Sequence, residues 1–173
     1  MDVLVLCIDR DNDLGRKAGI ESPVVGRGAN IDAAIKLAMA DPEDSDVNTI
    51  FGGIKVLDEL TASGKVAEIA SLAGDLKVGL ISDSKLATQL EELVGRIKPS
   101  GVIVVSDGAE DEAILPIIQS RIKVNGVKRV LVKQSPNLES TYYLLKQVFT
   151  DPKISHTVFI PPALALLMFS FFG

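Results

Sequence analysis

Short apolar runs that alternate with helix-patterned segments constrain the fold of this chain most strongly. Four runs are rich in Val and Ile or nearly continuous in apolar residues, at positions 3–8, 66–73, 102–105 and 127–132. Runs of this length are typical of parallel strands that are buried on both faces. The segments between them repeat apolar residues every three to four positions, as Leu86, Leu90 and Leu93 do, which is typical of helices.

Strands that alternate with helices predict a parallel sheet covered on both sides. The expected architecture is a three-layer α/β domain with a mostly parallel sheet of four or five strands, Rossmann-like or flavodoxin-like. For residues 78–81, the sequence is compatible with either a short strand or a loop. We expect helices that begin at the caps Asn30 and Asp83 or Ser84, a kinked helix at about 110–121, and a last helix at 135–149. The domain is predicted to occupy residues 1–150.

The composition excludes several classes of function. A net charge of -5 and a pI near 4.9 argue against a nucleic-acid partner. Cys7 is the single cysteine, so the chain has no intrachain disulfide, which fits a reducing compartment. His156 is the single histidine, which rules out a histidine-rich zinc site or a catalytic triad within the chain. The first residues lack the basic segment of a signal peptide, so we expect the domain to face the cytosol.

The C-terminal residues differ in kind from the rest. Residues 157–173 carry no charge and are mostly apolar. A membrane-spanning helix needs about 20 such residues, with a lower limit near 17. We therefore expect residues 151–173 to form a linker and the start of a truncated transmembrane segment, and the protein to lie at the cell membrane. The alternative is a buried C-terminal strand or a docking segment.

Carboxylates follow the predicted strands at the edge where parallel sheets bind their ligands. Asp9, Asp11 and Asp13 come at alternate positions after the first strand, and an acidic cluster that starts at Asp107 follows the third. Oxygen ligands of this kind suit Mg²⁺ or Mn²⁺. The predicted metal ligands are Asp9, Asp11, Asp107 and Glu112, and the predicted catalytic residues are Asp9, Asp107 and Asp111. The alternative is that these residues cap helices and loops, which is favoured for residues 41–46.

A phosphate group is the anion that such a cation would bind. Gly26, Arg27 and Gly28 precede a predicted helix, where backbone N–H groups and the helix dipole favour an anion. Arg121 and Lys133 are the other predicted phosphate contacts. A plain loop is the alternative at residues 26–28.

Several strings together resemble a known family. They lie at residues 7–15 (CIDRDNDLG), 23–28 (PVVGRG), 41–46 (DPEDSD), 105–112 (VSDGAEDE) and 119–121 (QSR). They are similar to an archaeal family of predicted membrane proteins catalogued as domain of unknown function 373. The resemblance covers nearly the whole chain, and it implies archaeal origin, a cytosolic domain and membrane attachment. It implies no activity and no catalytic residue.

Three functions follow as hypotheses. The first is a Mg²⁺- or Mn²⁺-dependent phosphoesterase or phosphotransferase that acts on a phosphate-bearing small molecule. The second is a non-catalytic domain that senses a nucleotide or an ion and gates the membrane part. The third is a structural domain only. The sequence leaves a homo-oligomer open.

Overall fold

A five-stranded sheet organises residues 1–130, which the computed structural model describes except for the side chains of residues 109 and 110. The strands are β1 (Val3–Asp9), β2 (Val24–Val25), β3 (Ala67–Ala73), β4 (Val102–Ser106) and β5 (Val124–Arg129). Their order across the sheet is β2-β3-β1-β4-β5. β1 runs parallel to β3 and β4, and β4 runs parallel to β5, whereas β2 is antiparallel to β3. All seven residues of β1 are buried, because it lies at the centre.

Helices cover both faces of this sheet. They are α1 (Asp13–Ala18), α2 (Arg27–Ala40), α3 (Ser45–Ala62), α4 (Leu80–Ile97), α5 (Ala109–Glu112) and α6 (Leu115–Gln119). Val5 and Cys7 of β1 pack with residues of α2 and α3 in one core cluster. Leu4 and Leu6, whose side chains alternate with these, pack with residues of α4 and α6 in the other. The predicted three-layer α/β architecture is confirmed for the described part.

The sheet differs from the expectation at its edges. β2 was not predicted, because two residues carry no periodic signal of their own and the strand exists only through pairing with β3. β5 spans Val124–Arg129, so it begins before the predicted start at 127. Residues 78–81 are no strand, because α4 begins at Leu80.

The helices also differ in their ends. Asn30 does not cap α2, which begins three residues earlier; its buried amide donates to the carbonyl oxygens of Val24 and Gly26 instead. The predicted helix at 110–121 is divided into α5 and α6, with Pro116 in the first turn of α6, where a missing N–H costs nothing. The short helix α1 was not predicted.

Residues 131–173 lie outside the described residues. The domain boundary near residue 150, the helix at 135–149 and the membrane segment at 151–173 therefore stay predictions. Within residues 1–130, no helix has the length and apolar character that crossing a bilayer requires.

Candidate metal centre

Three segments meet at one edge of the sheet. Asp9 ends β1 and Asp107 directly follows β4, and these strands are parallel neighbours. α3 begins at the same edge, where the Ser45 hydroxyl donates a hydrogen bond to the carboxylate of Asp107. Asp9 and Asp107 therefore lie at the same edge, as the sequence predicts.

α3 lies unusually close to β1, which fixes its N-terminus at this edge. A Cβ atom placed on Gly53 would lie 2.5 Å from the Cys7 Sγ and 3.1 Å from the Cδ1 of Ile69. Only glycine permits that approach without a shift of the helix. The sulfhydryl of Cys7 also donates to the carbonyl oxygen of Thr49, 3.7 Å away, one turn into α3.

The turn after β1 is wrapped around the carboxylate of Asp9. Its Oδ1 accepts the N–H of Asp13 at 3.0 Å, and its Oδ2 accepts the N–H of Leu14 at 2.8 Å. Asn12 adopts the left-handed conformation, with φ of 59°, and its side chain accepts the N–H of Gly15. These bonds orient the Asp9 carboxylate, and each carboxylate oxygen can accept a second interaction besides the backbone N–H that it binds.

The acidic residues before α3 divide into two roles. Asp44 is the N-cap of α3, and its Oδ1 accepts the N–H of Asp46 at 2.9 Å. The capping role expected in this segment is confirmed for Asp44. Asp46 lies in the first turn of α3 with 6% of its surface exposed, and no cap requires its side chain.

Six carboxylates form two groups that share Asp46. In each group, one oxygen atom from every member lies within 4.8 Å of those of the other members. The first group is Asp9, Asp11, Asp13 and Asp46, and the second is Asp46, Asp107 and Asp111. Metal–oxygen distances of about 2.0–2.6 Å put opposite ligands about 4–5 Å apart. Each group therefore has the size that one cation requires. Asp9 and Asp107 fall in different groups.

Among the described residues, basic side chains compensate one side of this cluster, at Asp11, Asp13, Asp41 and Asp44. Lys17 Nζ lies 2.7 Å from an oxygen of Asp41 and 2.7 Å from one of Asp44. Arg16 forms a 2.5 Å contact with Asp13. Within residues 1–130, no lysine or arginine pairs with the four other carboxylates that line the centre, namely Asp9, Asp46, Asp107 and Asp111.

The carboxylate of Asp111 is the least satisfied of the four. Asp111 is 6% exposed, and its Oδ2 is buried with no hydrogen-bond partner among the described residues. A buried polar atom without a partner costs free energy, commonly about 1–3 kcal/mol. Its position is explained if this oxygen binds a group that is not part of the chain, such as a cation.

The pKa values reflect this lack of compensation. Burial raises the pKa of Asp9 to about 7, and burial together with the adjacent Asp107 raises the pKa of Asp111 to about 9. For Asp46, burial and then the charges of Asp9, Asp44 and Asp111 raise the pKa far above its usual value. Burial opposes ionisation of Asp44 as well, yet bonds from the Lys17 ammonium and a backbone N–H lower its pKa. The paired carboxylate is thus easily ionised and the unpaired ones are not.

Other residues that the sequence proposed do not join the centre. Glu112 forms an ion pair with Arg129 at 2.7 Å and belongs to neither carboxylate group. Arg121 pairs with Glu91 at 2.8 Å and precedes β5, at the opposite edge of the sheet.

The predicted phosphate loop also lies apart from the carboxylates. Arg27 pairs with Asp58 at 2.9 Å, and the Gly26 N–H donates to the carbonyl oxygen of Ile69. Ile69 is four residues before the end of β3, so Gly26 lies beside the outer strand pair and away from the carboxyl edge of the sheet. Lys133 lies outside the described residues.

Asp46 and Asp13 were missing from the predicted site. The signal for Asp46 is topological: a helix that connects two parallel strands begins at the carboxyl edge of the sheet, so the first turn of α3 returns to Asp9. Asp13 follows β1 in the same alternating run as the predicted ligand Asp11, which is the signal that pointed to it.

An open cleft borders the first carboxylate group. It has a volume of about 520 Å³, and its polar lining comes from Asn12, Arg16, Glu21, Ser22 and Lys85. Arg16 belongs both to this lining and to the ion pair with Asp13. A cationic side chain therefore stands between the cleft and the carboxylates.

Comparison with known proteins identifies the family. A family model described as "Domain of unknown function (DUF373)" matches residues 2–173. An uncharacterized protein of Archaeoglobus fulgidus is 52% identical over 169 residues, which cover 98% of this chain and 49% of that protein. An uncharacterized protein of Methanocaldococcus jannaschii is 46% identical over 171 residues, which cover 96% of this chain and 45% of that protein. The chain thus spans about half the length of these curated relatives, and no solved structure matches it. The predicted family and archaeal origin are confirmed: the chain belongs to the DUF373 family of archaeal proteins.

Proposed function

We propose that this domain binds a divalent cation, Mg²⁺ or Mn²⁺, at the carboxyl edge of its sheet and acts with it on a phosphate-bearing small molecule. The observation that carries the proposal is Asp46, a buried carboxylate within reach of five others and without a cationic partner among residues 1–130. Carboxylates that are buried close together repel one another, so each carboxyl group resists ionisation. A divalent cation removes that cost, and carboxylates are the ligands it prefers.

The chemistry that fits the centre is hydrolysis or transfer at a phosphate ester. These carboxylates would hold the cation, which would supply an acidified water as the nucleophile toward the phosphorus. The bond from phosphorus to the leaving oxygen breaks, and its electron pair stays on that oxygen, which takes up a proton. The proton of the water passes to a carboxylate of the cluster that the cation leaves free. In a transfer reaction, an acceptor hydroxyl replaces the water.

The cleft beside the first group supports a phosphate-bearing ligand. Arg16 and Lys85 line it in a chain that is otherwise acidic, and guanidinium groups bind phosphate through paired hydrogen bonds. The sequence predicted Arg27 and Arg121 as phosphate contacts, but neither lines this cleft, and both form ion pairs away from the carboxylate groups. Arg16 and Lys85 are therefore the better candidates among the described residues.

A direct test combines thermal unfolding with a hydrolysis assay. Mn²⁺ should raise the melting temperature of the chain, because a ligand that binds only the folded state stabilises it by mass action. The same preparation should release nitrophenolate from p-nitrophenyl phosphate. The double variant Asp9→Asn/Asp107→Asn should lose both responses. The control Asp32→Asn/Glu59→Gln removes the same charge from exposed positions on α2 and α3 and should keep both.

Each outcome decides a part of the proposal. A melting temperature that does not respond to Mn²⁺ would overturn the metal centre. A response to Mn²⁺ without hydrolysis of any phosphate ester would overturn the catalytic part and favour a sensory domain. A response that persists in the double variant would place the cation elsewhere, for example at Asp41 and Asp44.

Attachment to the cell membrane is proposed on a separate ground. Residues 157–173 carry no charge, and an apolar run of this length exposed to water is rare in soluble monomers. We therefore propose that these residues enter the bilayer and that the α/β domain faces the cytosol. Fractionation of the native protein tests this: it should sediment with membranes and be released by detergent. A native protein that stays in the supernatant would refute the anchor.

A further inference from the structure

Asp46 stands where the two carboxylate groups meet. It is the one residue that belongs to both the group of Asp9, Asp11 and Asp13 and the group of Asp107 and Asp111. Resting on the proposed function, we infer that the centre holds two divalent cations, one in each group, with Asp46 as their shared ligand. A carboxylate has two oxygens, so it can bind one cation with each.

The number of carboxylates is the first argument. Six acidic side chains belong to the two groups. Among the described residues, Arg16 pairs with Asp13 at 2.5 Å and with Asp11 at 3.8 Å. Lys17 lies 3.9 Å from Asp13, but it is closer to two carboxylates outside the groups. A single Mg²⁺ is usually held by one or two carboxylates and several waters. With all six carboxylates ionised and the charge of Arg16 counted, one cation would leave about half of this negative charge uncompensated, whereas two cations would bring the centre near neutrality.

Asp111 is the second argument, and it is independent of the first. Its Oδ2 is buried without a partner among the described residues, and Asp111 belongs only to the second group. A cation bound by Asp9, Asp11 and Asp13 would leave that oxygen unsatisfied. A cation in the second group would bind it directly.

The backbone supports two positions as well. The first group is held by the turn after β1, where the N–H groups of Asp13 and Leu14 fix Asp9. The second is held by the turn after β4, with the Ser45 hydroxyl on Asp107. Because β1 and β4 are adjacent parallel strands, the two turns lie side by side, and α3 contributes Asp46 to both.

Two cations that share a carboxylate define the class of substrate. Such a pair, held by the two carboxylate groups, would stabilise both the attacking and the leaving oxygen of a phosphate ester. A phosphate monoester or diester fits this arrangement. Carboxylic esters and sulfate esters, which contain no phosphate group, should be poor substrates.

The stoichiometry of Mn²⁺ alone tests the inference. Titration calorimetry on the full chain should give two Mn²⁺ per chain, and electron paramagnetic resonance should show an exchange-coupled pair. Asp111→Asn should remove one Mn²⁺ and leave the spectrum of an isolated ion. Asp11→Asn should weaken the other position, by about tenfold or more, while the second group still binds. The control Asp32→Asn should keep two coupled ions.

Asp46→Asn separates a shared ligand from an ordinary one. It should weaken both binding steps and abolish the coupling; loss of only one step would overturn the shared role. Circular dichroism confirms that each variant is folded. One Mn²⁺ per wild-type chain would overturn the two-cation centre and leave the proposed function standing, whereas no bound Mn²⁺ would overturn both.

Discussion

Asp44 and Asp46 are two residues apart, and their surroundings give them opposite properties. Asp44 caps α3 and lies 2.7 Å from the Lys17 ammonium, so its charge is paired. Asp46 is equally buried but lies next to the carboxylates of Asp9 and Asp111, and no lysine or arginine of the described residues pairs with it. At the scale of single residues, the position of one lysine decides which carboxylate stabilises the helix and which is available to a metal ion.

The unpaired carboxylates predict an unusual pH dependence of stability. The folded pKa values of Asp9 and Asp111, about 7 and about 9, exceed the ordinary value near 3.9, so the unfolded chain loses these protons first as the pH rises. The free energy of unfolding should therefore fall from about pH 5 to pH 8 in EDTA. Each proton held only by the folded state contributes about 1.4 kcal/mol per pH unit. Urea unfolding at several pH values measures this slope.

Two comparisons make that slope specific. Asp111→Asn should reduce it, because one of the retained protons is gone. Saturating Mn²⁺ should flatten or reverse it, because the cation binds the ionised carboxylates. The carboxyls with lowered pKa, such as Asp44 and Asp58, add stability that is lost only below about pH 4, outside this window. Stability that rises from pH 5 to pH 8 without metal would contradict the prediction.

The residues of the centre were only partly predictable from the sequence. Asp9, Asp11, Asp107 and Asp111 follow apolar runs directly, so the rule about strand ends finds them. Asp46 lies in a segment whose local pattern indicates capping, and capping is what Asp44 does. The carboxylates that surround Asp46 belong to the turns after β1 and β4, which are distant in the sequence, so no local pattern predicts that they meet.

At the scale of elements, the contact between α3 and β1 positions Asp46. Gly53→Ala should bring a methyl group against Cys7 and Ile69, so that α3 has to move outward. We expect a loss of about 1–3 kcal/mol in the free energy of unfolding, typical of overpacking. Because the first turn of α3 carries Ser45 and Asp46, the affinity for Mn²⁺ should fall as well. Urea unfolding and Mn²⁺ titration measure the two effects.

Gly95→Ala is the matched control on α4. No atom lies within 4 Å of the added methyl group, and the position is exposed. Replacing a glycine inside a helix then raises stability by about 0.5–1 kcal/mol, and Mn²⁺ binding should stay unchanged. Equal effects of the two substitutions would show that the close approach of α3 does not position the centre.

The elements followed from the sequence where their signal is local. The apolar runs gave β1, β3 and β4 because buried parallel strands need continuous apolar residues. The sequence did not predict β2 or α1, because two and six residues are too few to show a periodic pattern. The order of the strands could not be derived at all, since it depends on pairings between distant segments.

At the scale of the whole molecule, residues Met1–Val132 form one compact unit. It contains every residue of both carboxylate groups. A fragment that ends at Val132 should therefore unfold cooperatively and should be stabilised by Mn²⁺ as the longer chain is. Thermal unfolding monitored by circular dichroism, with and without Mn²⁺, tests this. A fragment without a cooperative transition would show that residues 133–173 are required for folding.

The central position of β1 has a consequence for the kinetics of folding. Val3 pairs with Ala67 and Leu4 pairs with Val102. β1 therefore cannot form its sheet contacts until segments that lie much later in the sequence are available. Contacts between distant segments close large loops and slow the folding reaction. The turns after β1 and β4 come together only when β1 has paired with β4. Binding of Mn²⁺ during refolding should therefore lag behind helix formation and mark the arrival of the native state.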